Sequence, residues 1–543
     1  MIREAGDSAL LLELGEPVID PELNARAIAV ARAVREQAIP GVRDVVSTFR
    51  SVAVFFDPLS ADVAAVAAAL HQAESAAPTS VAGRTVEIPV VYGGESGPDL
   101  AEVAAFARCS PEAVIERHAG TLYRVYMLGF LPGFAYMAHV DATIAAPRRA
   151  MPRLRVAAGS VGIAGAQTGI YPRESPGGWQ IIGRTGSALF DQTQLPPALL
   201  APGDQVRFIP TEDSALSSIT RTGAGPGLKA GTTKGAVDRS VSVLRPGLLT
   251  TVQDLGRWGH QGLGVPVAGA MDAAAHRVAN ALVGNPVDAA TLETSLIGPD
   301  LRLGQETVVA IAGGDLWPML DGAEVPIGAP LRCPGGSVLR FGDRRSGARA
   351  YIAFDGGVDV EAVLGSRATH VMSRMGGLQG RALRAGDRVA LGPPTARAKT
   401  RPFSAPRSTG GARLRVLPGP QADFFDGSAL DALQRKRFTI SAQSDRMGYR
   451  LLEAAIAGHR LGDMISDVML MGGVQIPPSG EPILLMADRQ TTGGYPQLAV
   501  VITADLPLAA QLGPGDWIEF ELCRRADAIA ALVAAEGKIL AFG

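Results

Sequence analysis

Glycine and proline recur every few residues between positions 127 and 184, and this spacing is the strongest constraint on what the chain can fold into. Proline removes a backbone donor and glycine costs conformational entropy, so no long helix forms across such breaks. The runs between the breaks, such as 160–163 and 179–182, are short and suited to strands. The segment therefore predicts a tightly turned β structure.

The same segment concentrates side chains suited to binding a small polar ligand. Its aromatic residues, in a chain that is only 5% aromatic, are Phe130, Phe134, Tyr136, Tyr171 and Trp179. Its glycines that let backbone approach a ligand or adopt positive φ angles are Gly129, Gly133, Gly177 and Gly178. Arg153, Gln167 and Arg184 supply donors for a carboxylate, a carboxamide or a phosphate. On composition alone, a β core with surface arginines is the simpler interpretation, because glycine-rich turns mostly serve folding.

Three long motifs in this segment carry a specific resemblance: LGFLPGFAYM, GSVGIAGAQTGIYP and ESPGGWQIIGRT. They resemble the signature of a family named variously allophanate hydrolase subunit 1, the B component of 5-oxoprolinase and sporulation-kinase inhibitor. The resemblance implies a cyclophilin-like β-barrel of the carboxyltransferase type. We expect Arg153 and Gln167 to be catalytic in one pocket, with Arg184 beside them. The other residues expected to bind substrate or nucleotide there are Phe130, Gly133, Phe134, Tyr171, Gly177 and Gly178.

A second resemblance begins after residue 240. It is carried by Thr251, Gln253, Asp254, Gly256, Arg257, Gly264, Met271, Asp272 and Asn280, and by the segments 441–451 and 467–501. These residues resemble allophanate hydrolase subunit 2, also called the C component of 5-oxoprolinase. Asp272 is placed to cap a helix over 273–283, which Gly284 ends. Asp254 and Arg257 fit a ligand site and a local salt bridge equally well.

Polar loops in this second part predict another pocket, at the mouth of a barrel. We expect Arg446, Asp488, Gln490 and Tyr495 to be catalytic there. The substitution Arg446→Ala should then abolish turnover without unfolding the chain. Arg446 and Arg450 offer two guanidiniums that can clamp a carboxylate or phosphate. The residues expected to bind substrate or nucleotide are Asp254, Arg257, Asp272, Arg450, Thr491, Gly493 and Gly494.

Charge and cysteine content narrow the class of protein. Lys and Arg total 51 against 53 Asp and Glu, without a basic block, which argues against a nucleic-acid partner. The three cysteines lie far apart without metal-ligand spacing, which fits a reducing compartment. The N-terminus has no apolar signal core, and no window of 18 uncharged apolar residues occurs. The sequence predicts a soluble cytoplasmic protein without a membrane partner.

The 543 residues predict about three to four domains. The elements expected up to residue 91 follow the order β-α-β-β-α-β of a ferredoxin-like unit, with 86–91 as its last strand. The expected fold class is mainly β with α+β, in which a small ferredoxin-like α+β domain precedes cyclophilin-like β-barrel domains in tandem. The expected division is 1–83 for the α+β domain, 84–211 for the subunit-1 type barrel, 212–240 for a linker, 241–395 for the first part of a subunit-2 type β domain, 396–411 for a loop or linker, and 412–543 for its second, barrel part.

Internal echoes indicate duplication. The segments 201–208, 384–391 and 513–520 share a Gly-Asp turn followed by an alternating strand, which suggests related β units. The residues from 167 to 172, QTGIYP, resemble those from 490 to 496, QTTGGYP. We therefore predict that two β domains descend from one ancestor and line similar pockets.

The chemistry open to these loops is stabilisation of an oxyanion. No G-x-S-x-G elbow or HExxH motif occurs, and the seven histidines are scattered, so no metal site is predicted. Loops that offer Arg, Gln, Thr, Asp and Tyr suit a carboxyphosphate, a phosphorylated imidate or N-carboxybiotin. The resemblance implies an ATP-dependent 5-oxoprolinase component with fused B and C parts. It would open 5-oxo-L-proline to L-glutamate, using ATP with Mg and a separate third subunit.

Two other functions remain open at this point. The same two-part module resembles the carboxyltransferase region of urea carboxylase, which implies transfer from carboxybiotin to urea or a urea-like amide. The chain has no Met-Lys-Met biotinylation motif, so a biotin carboxylase and carrier protein would have to be a partner. Some relatives are named as inhibitors of a histidine kinase, which implies a binding protein instead. A homo-oligomer is compatible with each of these functions.

Overall fold

The computed structural model describes residues 1–80, 83–212, 239–394, 410–453, 455–457 and 464–542. The predicted linkers at 212–240 and 396–411 lie almost entirely outside the described residues. The predicted domain boundaries therefore remain predictions. The described helices are Pro21–Glu36 (α1), Val63–Ala76 (α2), Leu100–Ala107 (α3), Pro111–Gly120 (α4), Ala273–Val283 (α5), Ala429–Arg435 (α6), Leu506–Ala510 (α7) and Arg525–Phe542 (α8).

The N-terminal domain is a four-stranded antiparallel sheet with two helices. Its strands, in spatial order, are Ile2–Glu4 (β1), Ala9–Glu13 (β2), Ser51–Phe56 (β4) and Val42–Ser47 (β3). Helix α1 begins after Asp20, whose carboxylate accepts from the backbone N–H groups of Glu22 and Leu23 at 2.8 Å. Both helices pack on one face of the sheet and share its apolar core.

The predicted last strand of this unit, 86–91, belongs elsewhere. It forms most of Thr85–Tyr92 (β5), which pairs in parallel with a strand of the first barrel over six residues. The place beside β2 is taken by β1 instead. The element order was therefore misassigned at its end, because an apolar strand fits an open sheet edge and a barrel equally well.

The first barrel is a closed ring of seven strands. They are β5, Leu122–Leu128 (β6), Ala135–Ala138 (β7), Ser160–Ala164 (β9), Gln167–Ile170 (β10), Gln180–Arg184 (β12) and Gln205–Pro210 (β13). Outside the ring, Arg153–Val156 (β8) pairs with Ser175–Gly177 (β11). The strands β9 and β10 lie between them in the chain, so the pair forms the base of a long β-hairpin. We call β8 and β11 the first hairpin.

A β-sandwich follows the first barrel. One sheet has the strands Ser240–Arg245 (β14), Asp300–Leu303 (β17), Pro318–Leu320 (β19), Ala323–Glu324 (β20), Val338–Phe341 (β22) and Arg388–Ala390 (β24). The other has Leu249–Gln253 (β15), Thr291–Ser295 (β16), Thr307–Asp315 (β18), Pro330–Cys333 (β21) and Ser346–Phe354 (β23). Their inner faces share one apolar core, and α5 covers the outer face of the second sheet. Helix α5 runs as predicted, from the Asp272 cap to Gly284, which has a φ of 78°.

The second barrel is again a closed ring of seven strands. They are Gly411–Pro418 (β25), Arg437–Ile440 (β26), Gly448–Leu452 (β27), Gly473–Gln475 (β29), Ile483–Leu485 (β30), Gln497–Val501 (β32) and Trp517–Leu522 (β33). A short hairpin joins Asp467–Val468 (β28) to Thr492–Gly493 (β31). We call β28 and β31 the second hairpin. The expected fold class, with tandem barrels after a small α+β domain, is thus confirmed.

The two barrels have the same strand topology. In each, the ring runs through the first, last, second, third, fifth, fourth and sixth strand in chain order, and the first and last strands pair in parallel. The three Gly-Asp turns also agree, because each aspartate carboxylate accepts from the N–H group three residues earlier at 2.7–3.0 Å. The pairs are Ala201 with Asp204, Arg384 with Asp387, and Gly513 with Asp516. The two barrels therefore share one architecture, and their descent from one ancestor with similar pockets stays a prediction.

The sequence echo between Gln167 and Gln490, however, does not mark equivalent positions. Gln167 begins β10, the fifth barrel strand, whereas Gln490 follows β30, the corresponding strand. The equivalent segments are Gly177 to Trp179 and Gly493 to Tyr495. Each begins in a hairpin and leads into the sixth barrel strand.

The N-terminal domain docks against the second barrel. Residues of its sheet face, Leu11 and Phe55 among them, pack with Val468, Leu470 and Val500. Polar contacts fix this docking at two further places, where Ser51 donates to Asp467 and Thr503 donates to Asp7. The N-terminal domain also contacts the sandwich part of the chain, where the N–H groups of Gly259 and Gln261 donate to Asp44. The two halves of the chain therefore form an extensive interface.

Candidate functional site at the junction of the barrels and the sandwich

Glycine-rich loops from three parts of the fold meet at one junction. The N–H group of Phe130, in the first barrel, donates to Thr492 Oγ1 of the second barrel at 3.1 Å. The N–H group of Gly133 donates to the carbonyl of Leu263 at 2.9 Å. A Cβ on Gly129 would overlap the Thr492 side chain, with Cγ2 at 2.8 Å and Oγ1 closer still, so glycine is required for this approach. The segments that resemble known families thus converge in space.

An aromatic cluster lies on the first-barrel side of the junction. The ring of Phe134 contacts those of Phe130, Tyr136, Tyr171 and Trp179, with centroid distances of 4.8–5.5 Å. All but Phe130 are buried, so the cluster packs as a core and Phe130 forms its edge. Burial raises the pKa of Tyr136, and hydrogen bonding to Thr492 and Ser466 of the second barrel opposes the rise.

Arg446 lies at the centre of a buried ion-pair network. Its Nε and Nη2 donate to both carboxylate oxygens of Asp488 at 3.0 and 2.9 Å, and Nη1 pairs with Glu293 of the sandwich. Nη2 also donates to the carbonyl of Gly269 at 2.6 Å. Burial lowers the pKa of Arg446, but the charges of Asp488 and Glu293 outweigh burial and raise it above its usual value. Arg446 and Asp488 thus join the second barrel to the sandwich.

The network extends through buried tyrosines. Tyr351 donates from its hydroxyl to Glu293 at 2.6 Å and accepts from the N–H group of Asp272 at 2.7 Å. Arg349 donates to the Tyr449 hydroxyl at 2.8 Å. Burial raises the pKa of Asp272 to about 6, although its carboxylate caps α5. These hydrogen bonds connect the buried polar side chains of the sandwich to the second barrel beneath the junction.

Arg450 does not join Arg446 in a clamp. Arg446 is buried among its protein partners, whereas the Arg450 side chain, four residues along, is exposed. The predicted two-guanidinium site is therefore wrong, since Arg446 precedes β27 and is buried, whereas Arg450 lies on β27 with its side chain exposed.

Arg257 and Asp254 each secure a loop of the sandwich rather than pairing with one another. Arg257 is buried, and its guanidinium donates to the carbonyls of Val363, Ser366 and Ala368 at 2.7–3.3 Å. The carboxylate of Asp254 accepts from the N–H group of Gly256 and from the Ser366 hydroxyl. Burial lowers the pKa of Arg257 to about 10. Nη1 of Arg257 is buried and has no hydrogen-bond partner among the described residues.

The loop that Arg257 secures carries a histidine that the sequence analysis missed. His370 is 2% exposed, and its Nδ1 accepts from the N–H group of Ser373 at 3.2 Å. Burial lowers the pKa of His370, so the ring is neutral and carries its proton on Nε2. The charges of Asp488, Arg446 and Arg257 all act on this ring, which places it at the junction.

Buried polar atoms without a protein partner mark this loop. Among the described residues, His370 Nε2, Ser373 Oγ, Arg257 Nη1 and Thr491 Oγ1 have none. A buried donor left unpaired costs about 1–3 kcal/mol, so several in one region indicate that something polar binds there. The signal in the sequence was a histidine, two serines and two arginines within the glycine-flanked segment 365–377. These neutral and cationic donors suit an oxyanion.

The three residues predicted to share a pocket in the first barrel do not do so. Gln167 and Arg184 lie at opposite ends of β9, opposite Ala164 and Ser160 respectively. The Arg184 guanidinium bonds to the carbonyl of Ala158 instead. That prediction of one shared pocket is therefore wrong, because β10 and β12 run in the same direction on either side of β9, and Gln167 begins one strand whereas Arg184 ends the other.

Arg153 is also committed to a protein partner. Its guanidinium binds both oxygens of the buried Asp99 carboxylate at 2.9 and 2.5 Å. Gly177 serves packing, because a Cβ there would overlap the ring of Tyr171. A Cβ at Gly178, by contrast, would lie 3.6 Å from its nearest neighbours, the side-chain atoms of Pro152.

The remaining predicted residues follow Asp488 along the chain. Gln490 is half-buried, Thr491 is buried, and the backbone of Gly493 pairs with Asp467 in the second hairpin. Gly494 is half-buried and Tyr495 is 43% exposed. The structure thus brings Arg257, Asp488 and Thr491 to the junction and leaves Tyr495 at the surface.

A cavity of about 590 Å³ lies beside the junction, between the N-terminal domain and the second barrel. The described residues that line it include Glu13, Glu16, Asp423 and Asp467 against the single cation Arg50. This excess of carboxylates does not fit a triphosphate. Among the described residues, no group of three His, Cys, Asp or Glu side chains could hold a metal ion. No helix in the described ranges is long and apolar enough to cross a membrane.

The tandem barrels define the class of protein to which the chain belongs. The family model "Carboxyltransferase domain, subdomain C and D" matches residues 1–200, and "Carboxyltransferase domain, subdomain A and B" matches residues 263–522. The crystal structure of TTHA0988 superimposes with a TM-score of 0.83 at 37% identity, covering 96% of this chain and 100% of that one. Kluyveromyces lactis urea carboxylase gives a TM-score of 0.53 at 25% identity, covering 76% of this chain and 39% of that one.

Comparison with curated proteins identifies the family more closely. The chain is 44% identical over 220 residues to the B component of the Bacillus subtilis 5-oxoprolinase, covering 38% of this chain and 91% of that protein. It is 38% identical over 291 residues to the C component of the Escherichia coli 5-oxoprolinase, covering 54% of this chain and 94% of that protein. Urea amidolyase of Saccharomyces cerevisiae is 33% identical over 303 residues, which are 52% of this chain but 16% of the relative. The chain belongs to the carboxyltransferase-domain family and fuses a part similar to the B component of 5-oxoprolinase with one similar to the C component.

Proposed function

We propose that the chain is the fused B and C component of an ATP-dependent 5-oxoprolinase, which opens 5-oxo-L-proline to L-glutamate together with a separate third subunit. The observation that carries this proposal is that both halves contribute loops to one junction. Each half is similar over more than nine-tenths of the relative's length to a 5-oxoprolinase component. Components that must cooperate in one reaction are expected to build one site, and the contact of Phe130 with Thr492 joins the halves at that place.

The chemistry explains why ATP is needed. A lactam is a stable amide with a poor leaving group. Transfer of a phosphoryl group from ATP to the lactam oxygen makes a phosphorylated imidate. Water then adds to the former carbonyl carbon, the carbon–nitrogen bond of the ring breaks as the nitrogen takes up a proton, and γ-glutamyl phosphate forms. A second water attacks the acyl carbon of this phosphate, and the carbon–oxygen bond to the phosphate breaks to give glutamate and inorganic phosphate. The phosphate leaves with the original lactam oxygen.

The donors at the junction fit the charge that develops in these steps. The phosphoryl oxygens carry negative charge during the transfer, and an oxygen on the tetrahedral carbon becomes negatively charged when water adds. Among the described residues, the Ser373 hydroxyl and Arg257 Nη1 are buried without a hydrogen-bond partner, and His370 Nε2–H lies beside the Asp488 carbonyl without a well-aligned hydrogen bond, so all three suit such an oxygen. Gln490 and Thr491 are proposed to border the same site. ATP, entering with Mg, would place its phosphates at this arginine-bearing junction rather than in the acidic cavity, where Glu13, Glu16, Asp423 and Asp467 would repel them.

Reconstitution tests the proposal. The purified chain and its candidate third subunit are incubated with 5-oxoproline and ATP, alone and together, and glutamate and ADP are measured. We expect both products only when both proteins are present. A well-folded pair that forms no glutamate would contradict the proposed function.

Substitutions at His370 test the role of the junction. His370→Leu removes the Nε2–H donor and should lower kcat at least about tenfold, since loss of one such donor typically costs more. His370→Gln keeps an N–H near that position and should retain more activity. His118→Gln is the matched control, because His118 is equally buried but both its ring nitrogens have partners, Tyr92 and Thr168. Equal kcat for the two His370 variants would remove the donor from the mechanism.

A second function is supported by the likeness to urea amidolyase and urea carboxylase. In that case the junction would accept a carboxyl group from carboxybiotin and pass it to urea or a urea-like amide. A partner would have to supply the biotin carboxylase and the carrier. Carboxylation of urea by the chain with carboxybiotin, without glutamate formation from 5-oxoproline, would favour this alternative.

A further inference from the structure

Each barrel carries a two-stranded hairpin at the same place in its topology. In both, one hairpin strand lies between the third and fourth barrel strands and the other lies between the fifth and sixth. The first hairpin is β8 with β11, and the second is β28 with β31. Because the barrels share their strand order, the two hairpins are equivalent surfaces of a duplicated unit.

The second hairpin is covered by the chain's own N-terminal domain. Val468 packs against Leu11 and Phe55 of the four-stranded sheet and is 1% exposed. The Ser51 hydroxyl donates to the Asp467 carboxylate at 2.6 Å. This hairpin is therefore an interface on which a separate α+β domain docks.

The first hairpin carries exposed apolar side chains at the corresponding surface. Met151 is 83% exposed and Leu154, within β8, is 87% exposed. Pro176 in β11 is exposed as well. Large apolar side chains grouped at such exposure indicate a surface for a partner rather than for water.

The border of these apolar residues carries an unpaired cation. Arg148, which precedes the first hairpin in the chain, is exposed and forms no ion pair with another described residue. Arg155 is paired, but only with the exposed Glu174. A partner that covers this surface would gain from a carboxylate placed opposite the unpaired guanidinium of Arg148.

A second copy of this chain does not offer the surface that covers the equivalent hairpin. One face of the N-terminal sheet is covered by α1 and α2, and the other face by the second barrel. No face of that sheet remains free to dock on another copy. A different protein chain is therefore the occupant that the duplication points to.

The first hairpin adjoins the junction through its buried residues. Val156 of β8 belongs to the same apolar cluster as Phe134, Tyr136 and Trp179. The edge of that cluster, Phe130, contacts Thr492 at the junction. A protein bound on the first hairpin would thus lie against the wall of the candidate site.

We propose that the first hairpin, with Met151 and Leu154 as its apolar centre and Arg148 at its border, is the docking surface for the separate third subunit. The partner surface is apolar and carries a carboxylate at its border. This inference rests on the proposed function for the identity of the partner. It places that partner beside the junction, where the two proteins would share one site.

Direct binding tests the inference independently of activity. The full chain is immobilised, and its affinity for the purified third subunit is measured with biolayer interferometry. The double variant Met151→Glu with Leu154→Glu should weaken binding at least about tenfold, because central apolar contacts dominate such interfaces. Leu248→Glu is the matched control, since Leu248 is 60% exposed on the sandwich and should bind as wild type. Thermal midpoints of both variants should equal that of the wild type.

Charge and self-association give further outcomes. Arg148→Glu should slow association, and this difference should shrink as salt rises. Wild-type affinity of the double variant would overturn the proposal, and so would a hairpin-dependent dimer of the chain alone. Hairpin-dependent binding without glutamate formation would keep the docking surface and reject the proposed function. If the double variant forms glutamate and binds the third subunit with wild-type affinity, the proposed function is kept and the docking surface is rejected.

Discussion

Replacing Arg446 with alanine leaves two buried carboxylates without their cation. Asp488 and Glu293 are both buried, and Arg446 pairs with each of them. Removing one partner of a buried ion pair typically destabilises a protein by about 3–5 kcal/mol, because the remaining charge is left unsolvated. We expect Arg446→Ala to loosen the second barrel by that amount. This corrects the sequence-based expectation that the variant would lose turnover without unfolding.

Hydrogen exchange measures the loss where it occurs. A chain of several domains does not unfold in two states, so local exchange is more informative than one global midpoint. Protection of β27 and β30, which flank Arg446 and Asp488, should fall by about two to three orders of magnitude, at about 1.4 kcal/mol per tenfold. The control is Arg413→Ala, which breaks an ion pair whose arginine side chain is 64% exposed and should cost less than about 1 kcal/mol. Wild-type protection in Arg446→Ala, with turnover lost, would refute the structural role and assign Arg446 to catalysis.

Three other predictions follow from close approach and from titration. Gly129→Ala overlaps Thr492 and should lower stability by about 1–3 kcal/mol, whereas Gly178→Ala should leave the thermal midpoint unchanged; equal midpoints would contradict the close approach. Burial lowers the pKa of His118 to about 3. The neutral ring therefore contributes its full stability to the fold above the ordinary pKa of 6.5, and this contribution is lost as the pH falls toward 3. In thermal melts, His118→Gln should reduce this acid sensitivity. Burial raises the pKa of Asp272 to about 6. Its contribution to stability is therefore greatest below pH 3.8 and is lost as the pH rises through 6. Asp272→Asn should flatten this part of the plot of stability against pH, and an unchanged slope would argue against the raised pKa.

The parts of the fold set by local chemistry were predictable from the sequence. Glycine and proline spacing indicated the β structure of residues 127–184, and Asp20 and Asp272 cap the helices that follow them. The repeated Gly-Asp turn indicated duplicated β units, because a carboxylate that binds its own turn is a local feature. What a strand pairs with was not local, which is why segment 86–91 was assigned to the wrong sheet.

The site was less predictable, since its partners lie far apart in the chain. An arginine in a polar loop has the same sequence signature whether it faces a substrate or a carboxylate such as Glu293, which is 153 residues away from Arg446. His370 was missed because the signal of its segment was weak: a single histidine is ordinary, and its neighbours Arg257 and Asp488 are distant in sequence. The glycines were recognised, but Gly129 serves contact between barrels rather than contact with a ligand.

The measurement that tests the central claim most directly follows the lactam oxygen. 5-Oxoproline labelled with ¹⁸O in its ring carbonyl is converted by the chain and its third subunit in the presence of ATP, and the phosphate released is analysed by mass spectrometry. The account predicts one ¹⁸O atom in the inorganic phosphate, because phosphate leaves with the original lactam oxygen. Retention of the label in glutamate, with unlabelled phosphate, would contradict it.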